Sequence, residues 1–152
     1  MLRQTLNEAL KDAMRAKDQR AVATVRLILA ALKDRDIAAR SRGVMDGVDD
    51  AEILAMLQTM VKQRKESITM YQQGGRAELA QQEAEEITVI ERFLPQQFGE
   101  DETRAAVAAL ITELGATGVK DMGKVMAELR GRYAGQMDFT KASAIVREKL
   151  AT

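Results

Sequence analysis

Apolar residues recur along this chain at spacings of three and four and nowhere alternate over the length of a strand, which predicts helices throughout. The first helix is expected from about Arg3 to Lys17, with Leu6, Leu10, Ala13 and Met14 on one face and Leu2 just ahead of it. Asp18 is placed to cap a second helix from about Gln19 to Arg40, whose inward stripe is Val22, Val25, Ile28, Leu29, Leu32 and Ile37. The stretch "SRGVMDGVDD" reads as a loop punctuated by Gly43 and Gly47. Asp49 followed three residues later by Glu52 has the form of a capping box and starts a third helix, reaching to about Gln72. Its inner side is read as Ile53, Leu57, Met60, Val61, Ile68 and Tyr71. Gly74 and Gly75 can take the positive φ that ends it. A fourth helix, about Ala77–Phe93, then runs back beside the third as an αα-hairpin.

Pro95 is the only proline, and it pushes Leu94 away from helical geometry. Beyond it the helices shorten to about Asp101–Leu114, Asp121–Gly131 and Phe139–Leu150, separated by glycines at 115, 118, 131 and 135. The fold class expected is all-α and multihelical, in two helical domains. Residues 1–94 form a four-helix N-terminal domain, and residues 95–152 a three-helix C-terminal domain. No internal repeat or low-complexity tract is visible.

Composition narrows the chemistry. The 152 residues carry 23 basic and 23 acidic side chains, so no strong global field draws in nucleic acid, although a local basic patch remains open. The chain contains no cysteine, which removes disulfides, thiolate nucleophiles and cysteine-based zinc sites. It contains no histidine, the usual general base and commonest transition-metal ligand. With no tryptophan and only Phe93, Phe98, Phe139, Tyr71 and Tyr133 aromatic, platforms for stacking bases are scarce. No cofactor or metal is called for. The amphipathic start lacks a signal peptide's apolar run, and the longest apolar stretch, Ala105–Ile111, is far short of the roughly 20 residues that cross a bilayer. A soluble cytoplasmic protein is expected.

Three stretches could carry function. Glu83, Glu85, Glu86 and Glu91 form the best acidic cluster, and acid–base work by paired carboxylates needs no histidine. Glu83 and Glu86 share a face and could instead meet Arg64 or Lys65 across the hairpin as a clasp of ion pairs. Lys62, Arg64, Lys65 and Arg76 surround Tyr71, a possible RNA platform, but Tyr71 also falls on the packed stripe. The third stretch is "KDMGKVMAELRGRYAGQMD", Lys120–Asp138. Val119, Met122, Val125, Met126, Leu129 and Tyr133 follow its core-facing spacing. Lys120, Gly123, Lys124, Ala127 and Gly131 form a second stripe, small in the middle and basic at its edges. A glycine inside a helix costs roughly 1 kcal/mol relative to alanine, so Gly123 implies a close approach. That approach is by a neighbouring helix, or by a phosphate or partner protein. Lysines there would make sequence-independent phosphate contacts, and a helix N-terminus adds N–H donors unless Asp121 already caps them.

The segments "KESITMYQQGGRAELAQQEAEEITVIERFLPQQ", "KDMGKVMAELRGRYAGQMD" and "ASAIVREKL" together resemble the GatB/YqeY family, specifically its small stand-alone YqeY-like members. The resemblance spans essentially the whole chain. It implies an all-α fold of two helical domains and kinship with the tail of the B subunit of the glutamine-dependent aspartyl/glutamyl-tRNA amidotransferase. That tail helps hold the tRNA, and the amidotransferase's catalytic core has no counterpart here. A carbon–nitrogen ligase label on the family therefore does not imply chemistry by this chain. The implied function is a non-catalytic accessory that binds tRNA or another RNA. A protein–protein adaptor of a translation-related complex is the alternative, and a glutamine-dependent ligase activity ranks last. The residues aligned with the tRNA-contacting tail make Lys120, Gly123 and Lys124 the first choices for a contact face, with Arg130, Arg132 and Lys141 as additions. Residues 95–152 hold eight basic and eight acidic side chains, so binding should be modest and salt-sensitive. The oligomeric state is left open.

Overall fold

The computed structural model describes residues 1–151, which form seven α-helices and two short 3-10 turns with no strand among them. The chain is all-α, as the apolar spacing predicts. Its contacts divide it into two compact units, Met1–Pro95 and Gln96–Thr152.

The first unit holds α1 (Leu2–Arg15), α2 (Gln19–Ala39), α3 (Asp50–Gln73) and α4 (Ala77–Glu91). Local chemistry sets each boundary. The Asp18 carboxylate accepts the Ala21 N–H at 3.1 Å and starts α2. Lys17 takes a left-handed φ of 57° just before it, which ends α1 two residues earlier than its periodicity suggests. Asp49 caps α3 by accepting the Glu52 N–H at 2.9 Å, while the Glu52 carboxylate takes a hydrogen bond from Arg42. At the end of α4 the N–H groups of Arg92, Phe93 and Leu94 bond to carbonyls three residues back, a tightened stop just ahead of Pro95.

Leu6, Ile28, Leu32, Ile53, Met56, Leu57 and Ile90 pack into the main core of this unit. A smaller cluster of Ala13, Ala21, Val25 and Val89 joins α1, α2 and α4. Two residues expected inside lie outside: Ile37 is 48% exposed and Met14 52%. Ile37 follows Ile28 by nine residues, which is half a turn out of phase at 3.6 residues per turn. Ala13 holds the inward position beside Met14.

Two polar constructions fix the helices against one another. Arg3 on α1 clasps Asp36 on α2 through both carboxylate oxygens, at 2.6 and 3.0 Å, and donates to the Val48 carbonyl at 3.1 Å. Val48 donates its own N–H back to Asp36, so the loop before α3 is stitched to both helices. Gly47 sits under this clasp with φ +95°, and a Cβ there would stand 2.6 Å from the Arg3 guanidinium, so a side chain would be strained and would displace the clasp. The Arg3 guanidinium holds the Asp36 carboxyl below its ordinary range, with the hydrogen bond from Val48 adding to the effect.

Across the α3–α4 hairpin, Arg64 donates to Glu86 at 3.0 Å and lies 3.9 Å from Glu83. Burial and the neighbouring Glu86 push the Glu83 carboxyl upward, partly offset by Arg64. Ionised Glu83 therefore opposes folding. That penalty is absent below its unfolded pKa and is fully present above its raised folded value.

The second unit holds α5 (Glu100–Leu114), a 3-10 turn (Val119–Asp121), α6 (Met122–Arg132) and α7 (Phe139–Ala151). Glu100, Asp101 and Glu102 complement the positive end of the α5 dipole. Asp138 caps α7 by accepting the N–H groups of Thr140 and Lys141. Val107, Leu110, Val125, Leu129, Met137 and Val146 form the centre of the core. The Phe98 and Tyr133 rings meet at 5.2 Å, and the Phe98 N–H bonds to the Gln136 carbonyl at 2.8 Å.

Two substitutions in the first unit test this description by urea unfolding. Thr24 on α2 is fully buried and its hydroxyl has no partner. Thr24→Val keeps the shape and removes the unpaired group, so it should stabilise by about 1 kcal/mol. Arg64→Met leaves Glu83 with no cation and Glu86 with only Arg20, 4.0 Å away, and should cost roughly 3 kcal/mol. A loss for the first or no loss for the second would contradict the packing described.

Candidate functional site

The segment Lys120–Asp138 folds as the 3-10 turn, α6 and the loop to α7. Its core-facing spacing holds for Val125, Met126 and Leu129, which are buried. Val119 departs from it: it sits in the 3-10 turn, where the helical phase does not apply, and is 50% exposed.

Gly123 is the second residue of α6, in its first turn rather than its interior. It is exposed, and a Cβ built on it would meet no atom within 4 Å. Gly131, near the other end of the same stripe, is equally open. Helix packing within the chain therefore does not account for either glycine. Between them Ala127 is exposed too, so the stripe forms a shallow outward edge along α6.

Asp121 does not cap α6 with its side chain. Its carboxylate reaches back and accepts the Thr117 N–H at 2.9 Å. This bond, with a second from Gly118, holds the Asp121 carboxyl below its ordinary range, and the fields of Lys120 and Lys124 add to the effect. The carboxylate thus organises the loop that enters the turn.

The six residues singled out from the sequence separate into groups. Lys120 and Lys124 are exposed, stand four residues apart on either side of Gly123, and make no ion pair among the described residues, although their fields act on Asp121. Arg130 lies with its guanidinium carbon 6.0 Å from the centre of the Phe139 ring, at the outer limit of a cation–π contact. Arg132 is engaged by Glu113 at 2.7 Å and Glu128 at 2.9 Å, which raises its pKa further. It works as a tie between α5 and α6, with its charge already balanced. Lys141 stands in the first turn of α7 and lines a groove of about 430 Å³ between α5 and α7, together with Phe98, Thr103, Arg104 and Glu148. None of Lys120, Gly123 and Lys124 lines that groove. The structure therefore brings together Lys120, Gly123 and Lys124, and assigns the two arginines to other contacts.

In the other two stretches the arginines are engaged. Arg64 is occupied by Glu86 and Glu83, and Arg76 by Glu78 at 3.2 Å, which leaves Lys62 and Lys65 of the four cations around Tyr71. Among the described residues no group of three or more acidic side chains is placed to hold a metal ion. No described helix is long and apolar enough to cross a membrane.

Fold and site together define an all-α protein whose candidate site is an exposed edge rather than a cavity. The chain belongs to the YqeY-like family, whose model matches residues 3–150. Its curated relatives include fungal proteins named "Altered inheritance of mitochondria protein 41, mitochondrial". The one from Eremothecium gossypii is 33% identical over 150 residues, covering 96% of this chain and 79% of that protein. Those from Lachancea thermotolerans and Kluyveromyces lactis are 32% and 30% identical, each over 72% of this chain, and the chain spans 57% and 58% of their lengths.

These names overturn the expectation of a cytoplasmic protein. That expectation rested on the lack of an apolar leader. Segments that direct proteins to mitochondria are amphipathic and arginine-rich, so a search for apolar runs is blind to them.

Because Gly123 has open space and no positive φ, Gly123→Ala should be accommodated without strain and raise stability by a few tenths of a kcal/mol. Thermal unfolding checks this. A fall in melting temperature would mean that something in the chain needs the missing Cβ.

Proposed function

We propose that the chain is a non-catalytic accessory that binds the backbone of tRNA or a related RNA through the Lys120–Gly123–Lys124 edge. The observation that carries this is the pairing of two exposed lysines, outside any ion pair, with a glycine that none of the described residues packs against. A phosphate could approach the α6 backbone at Gly123 more closely than a side chain would allow, with a lysine on either side. The kinship of this segment with the tRNA-contacting tail of the amidotransferase B subunit favours the same edge. The mitochondrial names of the fungal relatives make organellar translation the setting to search first.

The test is binding of bulk tRNA to the purified protein at several salt concentrations, beside a Lys120→Glu/Lys124→Glu variant. Each phosphate contact contributes about 0.7–0.9 to the slope of log affinity against log salt. The parent should bind in a salt-sensitive way, and the variant should lose roughly 1.5 from that slope. Equal binding by both proteins, or none at low salt, would dismiss the reading.

A second reading rests on Val119, half exposed at the end of the same edge. An apolar residue beside small ones suits a protein helix better than a phosphate. In this reading the edge docks a protein of a translation-related complex. Capture from extract with and without nuclease separates the two, since a protein partner survives nuclease and loses its hold when Val119→Asp is introduced.

A further inference from the structure

The outward face of α2 carries a pattern that its own fold leaves unused. The core side of this helix is Ala21, Thr24, Val25, Ile28 and Leu32. At 100° per residue the point diametrically opposite is Ala30, which is exposed. Around Ala30 the exposed residues fall in matched pairs. Four positions before it is Arg26 and four after is Asp34. Three before is Leu27 and three after is Lys33. Seven before is Ala23 and seven after is Ile37. Steps of three, four and seven stay on one face of a helix. Leu27 and Ile37 are 47% and 48% exposed, large apolar side chains left in water. Arg26, Lys33 and Asp34 have no ion-pair partner among the described residues, although Arg20 and Asp36 of the same helix are paired.

We infer that this face binds a second copy of the same chain, with the two α2 helices antiparallel and a two-fold axis at Ala30. That symmetry sets each member of a pair against its mate in the other copy. Arg26 comes level with Asp34 of the second copy, and Asp34 with its Arg26, so two of the three unpaired charges gain an opposite partner and Lys33 keeps its charge at the rim. Ile37 comes level with the small Ala23 near the centre of the seam. Ala30 at the axis lets the backbones come close. A parallel pair would instead stack Arg26 on Arg26 and Asp34 on Asp34. Charge complementarity therefore selects one arrangement as well as one occupant. The stripe from Ala23 to Ile37 spans about 21 Å of helix. One such contact is smaller than the roughly 1,200–2,000 Å² of a stable interface, so the association is weak and depends on concentration.

The test is sedimentation equilibrium of the whole protein from about 10 µM to 1 mM, without RNA, so its outcome does not depend on the proposed function. The parent should pass from monomer to dimer within that range. Arg26→Asp alone and Asp34→Arg alone should each weaken association at least tenfold. The double variant should return to within about threefold of the parent. An equimolar mixture of the two single variants should also dimerise, because each then supplies the charge the other lacks. Both positions of the swap are exposed, so circular dichroism should be unchanged. As a second measurement, Ala30→Cys introduces the only thiol in the chain and should crosslink under mild oxidation far faster than Thr59→Cys, exposed on α3. A parent that stays monomeric at 1 mM, a double variant no better than the single ones, or equal crosslinking at the two cysteine positions would each overturn the inference.

Discussion

The Arg64 guanidinium between Glu83 and Glu86 sets the register of the N-terminal unit. The turn at Gly74–Arg76 reverses the chain but leaves two long helices able to slide past each other. Arg64 removes that freedom. It is anchored to its own helix by a 3.2 Å bond to the Met60 carbonyl and reaches across to Glu86 at 3.0 Å. With α4 fixed in this way, Ile87 and Ile90 meet the main core while Val89 meets α1 and α2. The cost of burying these charges is contained because each has an opposite neighbour, although the second carboxylate, Glu83, is held at a loss when ionised.

Arginine and lysine divide the electrostatic work of this protein. The ion pairs described above are made by arginines: Arg3, Arg64, Arg76 and Arg132 each bind carboxylates that tie elements or cap turns. A planar guanidinium can hold two acceptors at once, which suits a structural tie. Lys120 and Lys124 remain as mobile point charges at the surface. The surface is not basic on average, and Lys120 and Lys124 stand exposed beside the Asp121 carboxylate.

Most of the fold was legible because it is written locally. The stripe of α2, the caps Asp18 and Asp49, the glycine turn at 74–75 and the stop before Pro95 all depend on residues within a few positions of one another. What was not legible depends on distant partners. Arg132 looked available because Glu113, nineteen positions earlier, meets it only after α5 and α6 pack. Gly47 gave no sign of its role because the guanidinium above it belongs to Arg3. Gly123 was ambiguous for a related reason: the sequence shows that a side chain is missing but not which way the gap faces. Ile37 was a local error, since a residue half a turn out of phase was counted with a stripe it does not share.

The order of the cores along the chain has a consequence for synthesis. Every residue of the two N-terminal clusters lies before Pro95, and every residue of the third lies after it. No strand or helix of the first core has to wait for a later partner. As the polypeptide leaves the ribosome, the first four helices can close on one another while the last three are still being made. Helical neighbours close in sequence rather than across the whole chain length, which favours fast folding. The newly made N-terminal part then spends little time with its apolar faces open to aggregation.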